Sequence, residues 1–278
     1  MDRNQLLFAS VGAITALAVE KLVNLLFFRN KNTHHITDIL RTQAPHPTWT
    51  PPQPQPPPYD PASGWHSIDP SSTPSDVLYP LVISSVVPRP IAFISSIGED
   101  GTQNLAPYSY FNVVGHAPPL VAIGFCSTKL RDHGKKDSLC NILATKEFVV
   151  NIISEWFVEA ANHCCGNFPY GADEMSLSGL TPLPSQKVTP PRVAESAVQL
   201  ECIVRHVYNA SSSIGGTTGG STVVIGEVVM WHVAEGVAGK SPSGKLVVDI
   251  QKLKPISRLG GNTYGRTNDI FDLPRPDR

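Results

Sequence analysis

The chain has almost no net charge, because 22 lysines and arginines offset 23 acidic residues among its 278 residues. This balance leaves no excess of positive charge for a phosphate backbone, so we expect no nucleic-acid partner. Cysteine is also scarce, and the odd set of five contains no Cys-x-x-Cys pair. We therefore expect an intracellular protein without disulfides or structural zinc, and interpret the adjacent Cys164 and Cys165 as ordinary thiols rather than a redox pair.

Several catalytic motifs are absent as well. No Gly-x-Ser-x-Gly elbow marks a serine hydrolase, and the nine histidines show no spacing typical of metal ligands. Two glycine-lysine loops, at residues 234–241 and 239–246, each lack one residue that a phosphate-binding P-loop requires. These absences predict no metal site and no familiar nucleotide-binding loop.

The longest apolar run covers residues 6–28, and Glu20 and Lys21 interrupt it. Its length suits a membrane-spanning helix of roughly 20 residues. The alternatives are a cleaved targeting segment, with Ala16-Leu17-Ala18 at the cleavage site, and an amphipathic or partner-binding helix. We predict that residues 1–29 anchor the protein to a membrane or target it to an organelle.

Proline dominates the next segment, residues 30–64. Nine prolines lie between Pro45 and Pro61, and such a run cannot form helix or sheet ladders. We interpret residues 30–64 as a linker and residues 65–278 as one globular domain. Trp49 and Tyr59 offer a docking motif for a proline-reading domain, but a spacer is the favoured interpretation.

The globular part contains many short apolar runs bounded by turn residues. Helices are predicted at residues 138–144 and 155–163. Strands are predicted at residues 79–87, 91–97, 120–125, 147–153, 198–208, 223–233 and 246–250. Many strands and few helices, without regular alternation, predict a mainly β fold that is a barrel or a sandwich.

The stretch 88–111 has the composition of a ligand site. Pro88 and Pro90 hold Arg89 in an extended conformation, and Pro107 excludes an ordinary central strand because it lacks a ladder donor. A fixed cation beside serine hydroxyls and aromatic residues suits a flat, phosphorylated ligand. The other interpretation is a plain hairpin with a surface arginine, and from this stretch alone it is the favoured one.

A second candidate site is Lys136-Asp137-Ser138, where a helix is predicted to begin. Backbone amides at a helix N-terminus, a hydroxyl and a lysine together favour an anion. The alternative is a surface helix capped by Asp137. These residues by themselves favour neither interpretation.

Several segments in order resemble one known family. They are Pro-Arg-Pro-Ile-Ala from Pro88, Asn-Leu-Ala-Pro-Tyr-Ser-Tyr-Phe from Asn104, Lys-Asp-Ser from Lys136, Glu-Phe-Val-Val-Asn from Glu147, Tyr-Gly-Ala-Asp-Glu-Met from Tyr170, and Arg-Leu-Gly-Gly-Asn-Thr-Tyr from Arg258. Across residues 77–264 the series is similar to the flavin reductase-like family, the FMN-binding split-barrel group related to flavoredoxin. Ser138 replaces the usual threonine and keeps its hydroxyl, whereas His116 stands where many members carry aspartate.

The resemblance implies an FMN-binding split β-barrel with a few helices, which acts as a homodimer. Residues expected near the FMN phosphate and ribityl chain are Arg89, Ser95, Ser96, Lys136, Asp137 and Ser138. Residues expected near the isoalloxazine ring are Asn104, Ala106, Pro107, Tyr108, Ser109, Phe111 and Tyr264. Loss of the Arg89 or Lys136 side chain is predicted to weaken FMN binding more than it harms folding.

The implied function is that of an FMN-dependent oxidoreductase of the flavin reductase type. It would take hydride from NAD(P)H and pass electrons to free flavin, oxygen or an organic acceptor. We predict no catalytic side chain, because the flavin carries the chemistry. The alternatives are a flavin-dependent oxidoreductase or oxygenase acting directly on a small organic substrate, and a non-catalytic FMN electron carrier held at a membrane.

Overall fold

The protein's structure, a computed structural model, describes residues 38–211 and 220–276. These described residues divide into two compact units, one within residues 38–42 and 268–276 and the other within residues 43–267. The predicted anchor or targeting segment lies outside the described residues. Within the described ranges, no helix combines the length and apolarity that a membrane crossing requires.

Strands form most of the regular structure. In chain order the strands are β1 (Leu40–Thr42), β2 (Ala92–Ile97), β3 (Gln103–Tyr108), β4 (Phe111–His116), β5 (Pro119–Cys126), β6 (Glu147–Ile152), β7 (Pro182–Leu183), β8 (Arg192–Val193), β9 (Val198–Ser211), β10 (Gly220–Val233), β11 (Ala238–Lys240), β12 (Leu246–Val248), β13 (Ile256–Arg258), β14 (Tyr264–Arg266) and β15 (Asp269–Phe271). The α-helices are α1 (Ser75–Ser85), α2 (Asp137–Thr145), α3 (Val158–His163), α4 (Glu174–Leu177) and α5 (Ile250–Leu253). The predicted mainly β fold is thereby confirmed.

The larger unit is built on one seven-stranded antiparallel sheet with the order β3-β2-β6-β9-β10-β5-β4. Strands β3 and β4 lie at opposite edges, yet only Ser109 and Tyr110 separate them in the chain. Because this link spans at most about 11 Å, the sheet must curl until its edges meet. The Tyr108 and Phe125 rings lie 4.6 Å apart across this seam. The result is the predicted split barrel, open between β3 and β4.

Both faces of the central strands are covered by apolar side chains. On β2, Ile94 packs in one core cluster with Phe148, whereas Phe93 packs in a second cluster with Phe157 of the segment before α3. Alternate residues of a strand point to opposite faces. The continuous apolar run at residues 91–94 therefore reflects a strand that is buried on both sides.

The smaller unit contains one parallel strand pair in its described residues. Strand β1 pairs with β15, and Leu40 stands opposite Asp269. Arg41 forms an ion pair with Asp272, and both side chains are largely exposed to solvent. Such an exposed pair contributes little stability, typically up to about 1 kcal/mol.

Two secondary-structure predictions are wrong. Residues 79–87 were expected as a strand, but most of them belong to helix α1. The helical spacing of Tyr79 and Ile83 brings both to one cavity wall, and the Ser84 hydroxyl donates to the Pro80 carbonyl at 2.7 Å, four residues back, as helical serines do. The strand expected at 246–250 ends at residue 248, because Asp249 accepts from the Gln251 amide and begins α5.

Candidate functional site

A cavity of about 320 Å³ opens in the larger unit beside the seam between β3 and β4. Its volume falls within the range of roughly 300–1,000 Å³ that small-molecule sites occupy. The lining comes from segments 104–110, 128–131 and 164–168, from the start of α2, and from α1 and the chain around Arg258. The cavity therefore lies where the barrel edges do not pair.

The outer edge of β3 forms one wall of this cavity. The Leu105 amide donates to Glu174 Oε2 at 3.1 Å, so Leu105 directs its backbone groups away from β2. The backbone groups of successive residues in a strand point to opposite neighbours, so Pro107, two residues after Leu105, also faces the outer edge. Its missing N–H therefore removes no hydrogen bond between β3 and β2. The prediction that Pro107 excludes a central strand is confirmed, since β3 is an edge strand.

Two basic side chains at the cavity differ in the hydrogen bonds that they make. Arg131 donates to both carboxylate oxygens of Asp137, at 2.8 and 2.5 Å, and to the Phe168 carbonyl at 3.1 Å. The hydrogen bond to Asp137 raises the pKa of Arg131. Lys136, in contrast, makes no side-chain hydrogen bond or ion pair with any residue that the structure describes. Lys136 is thus a cation available to a ligand.

The start of α2 is suited to an anion. Lys136 occupies the N-cap position, and its carbonyl accepts the first helical bond from Cys140 at 3.1 Å. The preceding amides, at residues 137–139, have no helical acceptor. Ser138 Oγ is buried without a well-formed hydrogen bond to any described residue, although the partly buried Tyr108 phenol lies nearby. An acceptor-rich group such as a phosphate would satisfy the amides, Lys136 and Ser138 together.

Arg89 occupies a structural position at the cavity wall. Its guanidinium donates to the carbonyls of Ile83 and Val86 at the end of α1, to the Leu259 carbonyl at 2.8 Å, and to Ser109 Oγ at 3.3 Å. Only 7% of Arg89 is exposed. The residue therefore caps α1 and ties it to the segment after β13. Its predicted contact with phosphate stays a prediction.

Arg258 is a further cation at the cavity. Its guanidinium carbon lies 4.4 Å above the ring of Tyr264, and one nitrogen donates to the Gly261 carbonyl at 2.8 Å. The Tyr264 hydroxyl donates to Asn162 Oδ1 at 2.7 Å. Arg258 and Gly261 line the cavity, whereas Tyr264 supports Arg258 from behind.

The structure brings eight of the predicted site residues to this cavity. They are Arg89, Asn104, Ala106, Pro107, Tyr108, Ser109, Lys136 and Asp137. It does not bring Ser95, Ser96, Phe111, Ser138 or Tyr264 into the cavity lining. Ser95 donates to the Pro191 carbonyl, Ser96 accepts from Asn141 at 3.3 Å, and Phe111 packs in the core. Their predicted flavin contacts stay predictions.

Glu174 is a buried acid at the cavity wall. Only 8% of the residue is exposed, and burial raises the pKa of its carboxyl, with a further rise from Asp137 and Asp173. The neighbouring Cys164 thiol donates to the Glu174 carbonyl at 3.6 Å, and burial raises its pKa to about 11. Cys164 is thus protonated near neutral pH, which fits an ordinary thiol.

Sequence reasoning did not select Arg131, Glu174 and Arg258. Arg131 lies in a polar loop with no motif of its own. Glu174 and Arg258 lie inside segments that carried the family resemblance, at Tyr170-Gly-Ala-Asp-Glu-Met and at Arg258-Leu-Gly-Gly. Those segments could have identified Glu174 and Arg258, whereas the position of Arg131 depends on its pairing with Asp137 in three dimensions.

Comparison with known proteins identifies the family. Residues 84–254 match the flavin reductase like domain. An uncharacterized protein of Halalkalibacterium halodurans is 37% identical over 211 residues, which cover 75% of this chain and 96% of that protein. The solved nitrilotriacetate monooxygenase component B from Bacillus cereus is 34% identical with a TM-score of 0.67, covering 76% of this chain and 99% of that one.

A second solved structure is similar to the same degree. The 2-nitrobenzoate 2-nitroreductase NbaA from Pseudomonas fluorescens is 32% identical with a TM-score of 0.63, covering 76% of this chain and 96% of that one. The chain belongs to the flavin reductase-like family, as its motifs predicted. Membership implies a flavin cofactor and flavin-related oxidoreductase chemistry.

The sequence predicts that Arg89→Ala weakens FMN binding more than it harms folding, whereas the contacts of Arg89 in the structure predict a stability defect. Arg89→Ala should lower the free energy of unfolding by roughly 3 kcal/mol, because buried carbonyls lose charged donors. Arg205→Ala is the control, since it removes an exposed ion pair with Glu227 and should cost less than about 1 kcal/mol. Urea unfolding of both variants measures the difference, and equal losses would contradict the structural role of Arg89.

Glu174 should make stability depend on pH. Its folded-state pKa is raised above the ordinary 4.5, so its stabilising contribution is complete below that value and is lost as the pH rises through the folded pKa. Glu174→Gln has no proton to lose. Relative to the wild type, the variant should therefore gain in unfolding midpoint as the pH rises from about 4 to 8. Glu159→Gln, at an exposed carboxyl, is the control; a Glu174→Gln profile parallel to the wild type would refute the assignment.

Proposed function

We propose that the protein is an FMN-dependent oxidoreductase that takes hydride from NAD(P)H and passes the electrons to free flavin, oxygen or an organic acceptor. The observation that carries the proposal is the uncommitted Lys136 at the start of α2, in the same cavity as the outer edge of β3. With the free amides of α2 and the buried Ser138 hydroxyl, it forms a place for one terminal phosphate.

The same residues support FMN over FAD. One phosphate-sized set of donors is present at α2, and the sequence has no fingerprint for an adenosine half. The phosphate would be held by Lys136, Ser138 and the α2 amides. The flat ring would lie along the β3 wall, at Asn104, Ala106, Pro107, Tyr108 and Ser109.

The bound flavin would supply the hydride-accepting chemistry. The chain's own residues would bind and orient the flavin. Tyr108, packed on Phe125, gives the cavity a rigid wall, and Lys136 and Arg258 place positive charge where negative charge must be held. No side chain needs to act as acid or base in this account.

A second candidate function is the direct reduction of a small organic substrate. The observation that favours it is the similarity to the solved 2-nitrobenzoate 2-nitroreductase, at 32% identity over nearly the whole of that chain. A non-catalytic electron carrier is the third candidate. The homodimer and the membrane or targeting role of residues 6–28 stay predictions, and the sequence has no nicotinamide fingerprint that would select NADH or NADPH.

Lys136→Ala should weaken FMN binding by about ten- to a hundredfold, since it removes a charge-assisted contact of roughly 1.5–3 kcal/mol. Riboflavin, which lacks the phosphate, should bind both forms about equally. Lys135→Ala is the control, because the neighbouring lysine does not line the cavity. Flavin fluorescence titration measures all four affinities. An unchanged FMN affinity, or an equal loss for riboflavin, would remove Lys136 from the phosphate site.

The function itself is tested with the purified full chain. Chromatography of the released cofactor should show FMN, and recovery of FAD alone would contradict the proposal. NAD(P)H oxidation should increase when free FMN is added. Turnover only with a nitroaromatic acceptor would establish the second candidate instead. Bound FMN without any NAD(P)H oxidation would favour the third candidate, the non-catalytic electron carrier.

A further inference from the structure

The proline-rich segment has no role in the cavity. None of residues 43–64 lines it, and every residue from 45 to 60 is exposed. Residues 53–57 have no helix or strand. A segment of this composition that stays in solvent is available to a partner.

Two short turns fix the ends of this segment. At one end the Trp49 indole donates to the Gln53 carbonyl at 2.7 Å, and the Thr50 amide donates to Gln53 Oε1 at 3.2 Å. At the other end the Asp60 carboxylate caps a short turn by accepting from the Ala62 amide at 2.9 Å. Residues 54–59 lie in the chain between these two turns.

The backbone between the turns cannot add to a β-sheet. Among residues 54–58 only Gln55 has an N–H group, because the other four are prolines. The carbonyls of these residues accept no backbone hydrogen bond within the described part of the chain. Recognition must then come from rings that pack on the prolines and from donors that reach the carbonyls, which is the way aromatic-lined grooves read extended proline segments.

Tyr59 is the one aromatic residue among residues 54–59. It ends the sequence Pro56-Pro57-Pro58-Tyr59, which has the form Pro-Pro-x-Tyr. Its side chain is 58% exposed and its hydroxyl makes no hydrogen bond to a described residue. We propose that Pro56–Tyr59 docks onto a WW-type domain of a partner protein, with the prolines between two aromatic rings and the Tyr59 phenol in a second pocket.

Charge favours this class of partner over the SH3 class. No lysine or arginine occurs in residues 43–64, and Asp60 follows Tyr59 directly. SH3 grooves read a basic residue beside the prolines with acidic side chains, and those would repel Asp60. The segment would thus recruit the flavoprotein domain to a partner without involving the cavity.

The test titrates the full chain with an isolated WW domain of the class that binds Pro-Pro-x-Tyr peptides, and with an SH3 domain for comparison. Tyr59→Ala should weaken WW binding by about tenfold or more, the loss expected for a central aromatic anchor. Pro57→Ala should act in the same direction. Trp65→Ala, which removes an aromatic side chain that is 81% exposed outside the motif, should bind like the wild type.

Calorimetry measures the affinities, and the unfolding midpoint of each variant confirms that the fold is intact. Binding of the wild type and Trp65→Ala, with the loss confined to Tyr59→Ala and Pro57→Ala, supports the proposal. No WW binding by the wild type, equal binding by Tyr59→Ala, or tighter binding to the SH3 domain would each overturn it.

Discussion

The two-residue link between β3 and β4 is the constraint on which the larger unit depends. These strands are the two edges of a seven-stranded sheet, and Ser109 and Tyr110 hold them together. An open, gently twisted sheet would place its edges tens of ångströms apart, since neighbouring strands are about 4.8 Å apart. The sheet must therefore close on itself, but the edges meet without a continuous ladder. The cavity lies along this incomplete seam.

Pro107 and Leu105 show how the exposed edge is controlled. A free strand edge invites pairing with another chain. Here Pro107 removes one outward donor, and Glu174 accepts the outward donor of Leu105. The edge that borders the cavity thus has fewer outward donors for pairing, and side chains of β3 line the cavity.

Burial determines which of the four cations at the cavity make structural contacts. Arg89 and Arg131 lie in partly dry surroundings, where an unpaired guanidinium would be costly, and both are held by carbonyls or a carboxylate. Arg258 is supported by the Tyr264 ring and the Gly261 carbonyl. Lys136 alone among the four lacks such a partner in the described structure, and it stands at a helix start whose amides also lack acceptors.

Much of this arrangement could be predicted from the sequence, because it depends on local rules. Pro107 excluded an ordinary central strand, and β3 is an edge strand. Lys136-Asp137-Ser138 predicted the start of α2, whereas its binding of an anion stays a prediction. The partners of Arg89 could not be predicted, because its acceptors on α1 and at Leu259 come together only after folding. The same is true of α1, where the apolar and β-branched run suggested a strand. In the structure this run is helical, and Tyr79 and Ile83, four residues apart, both line the cavity.

We propose that the cavity beside β3 holds FMN with its phosphate at the start of α2. A crystal structure of the full chain with FMN tests it most directly. We predict the phosphate within hydrogen-bond distance of Lys136 and Ser138, and the ring against the 104–109 wall. A phosphate bound away from the start of α2, or a flavin outside this cavity, would contradict the account.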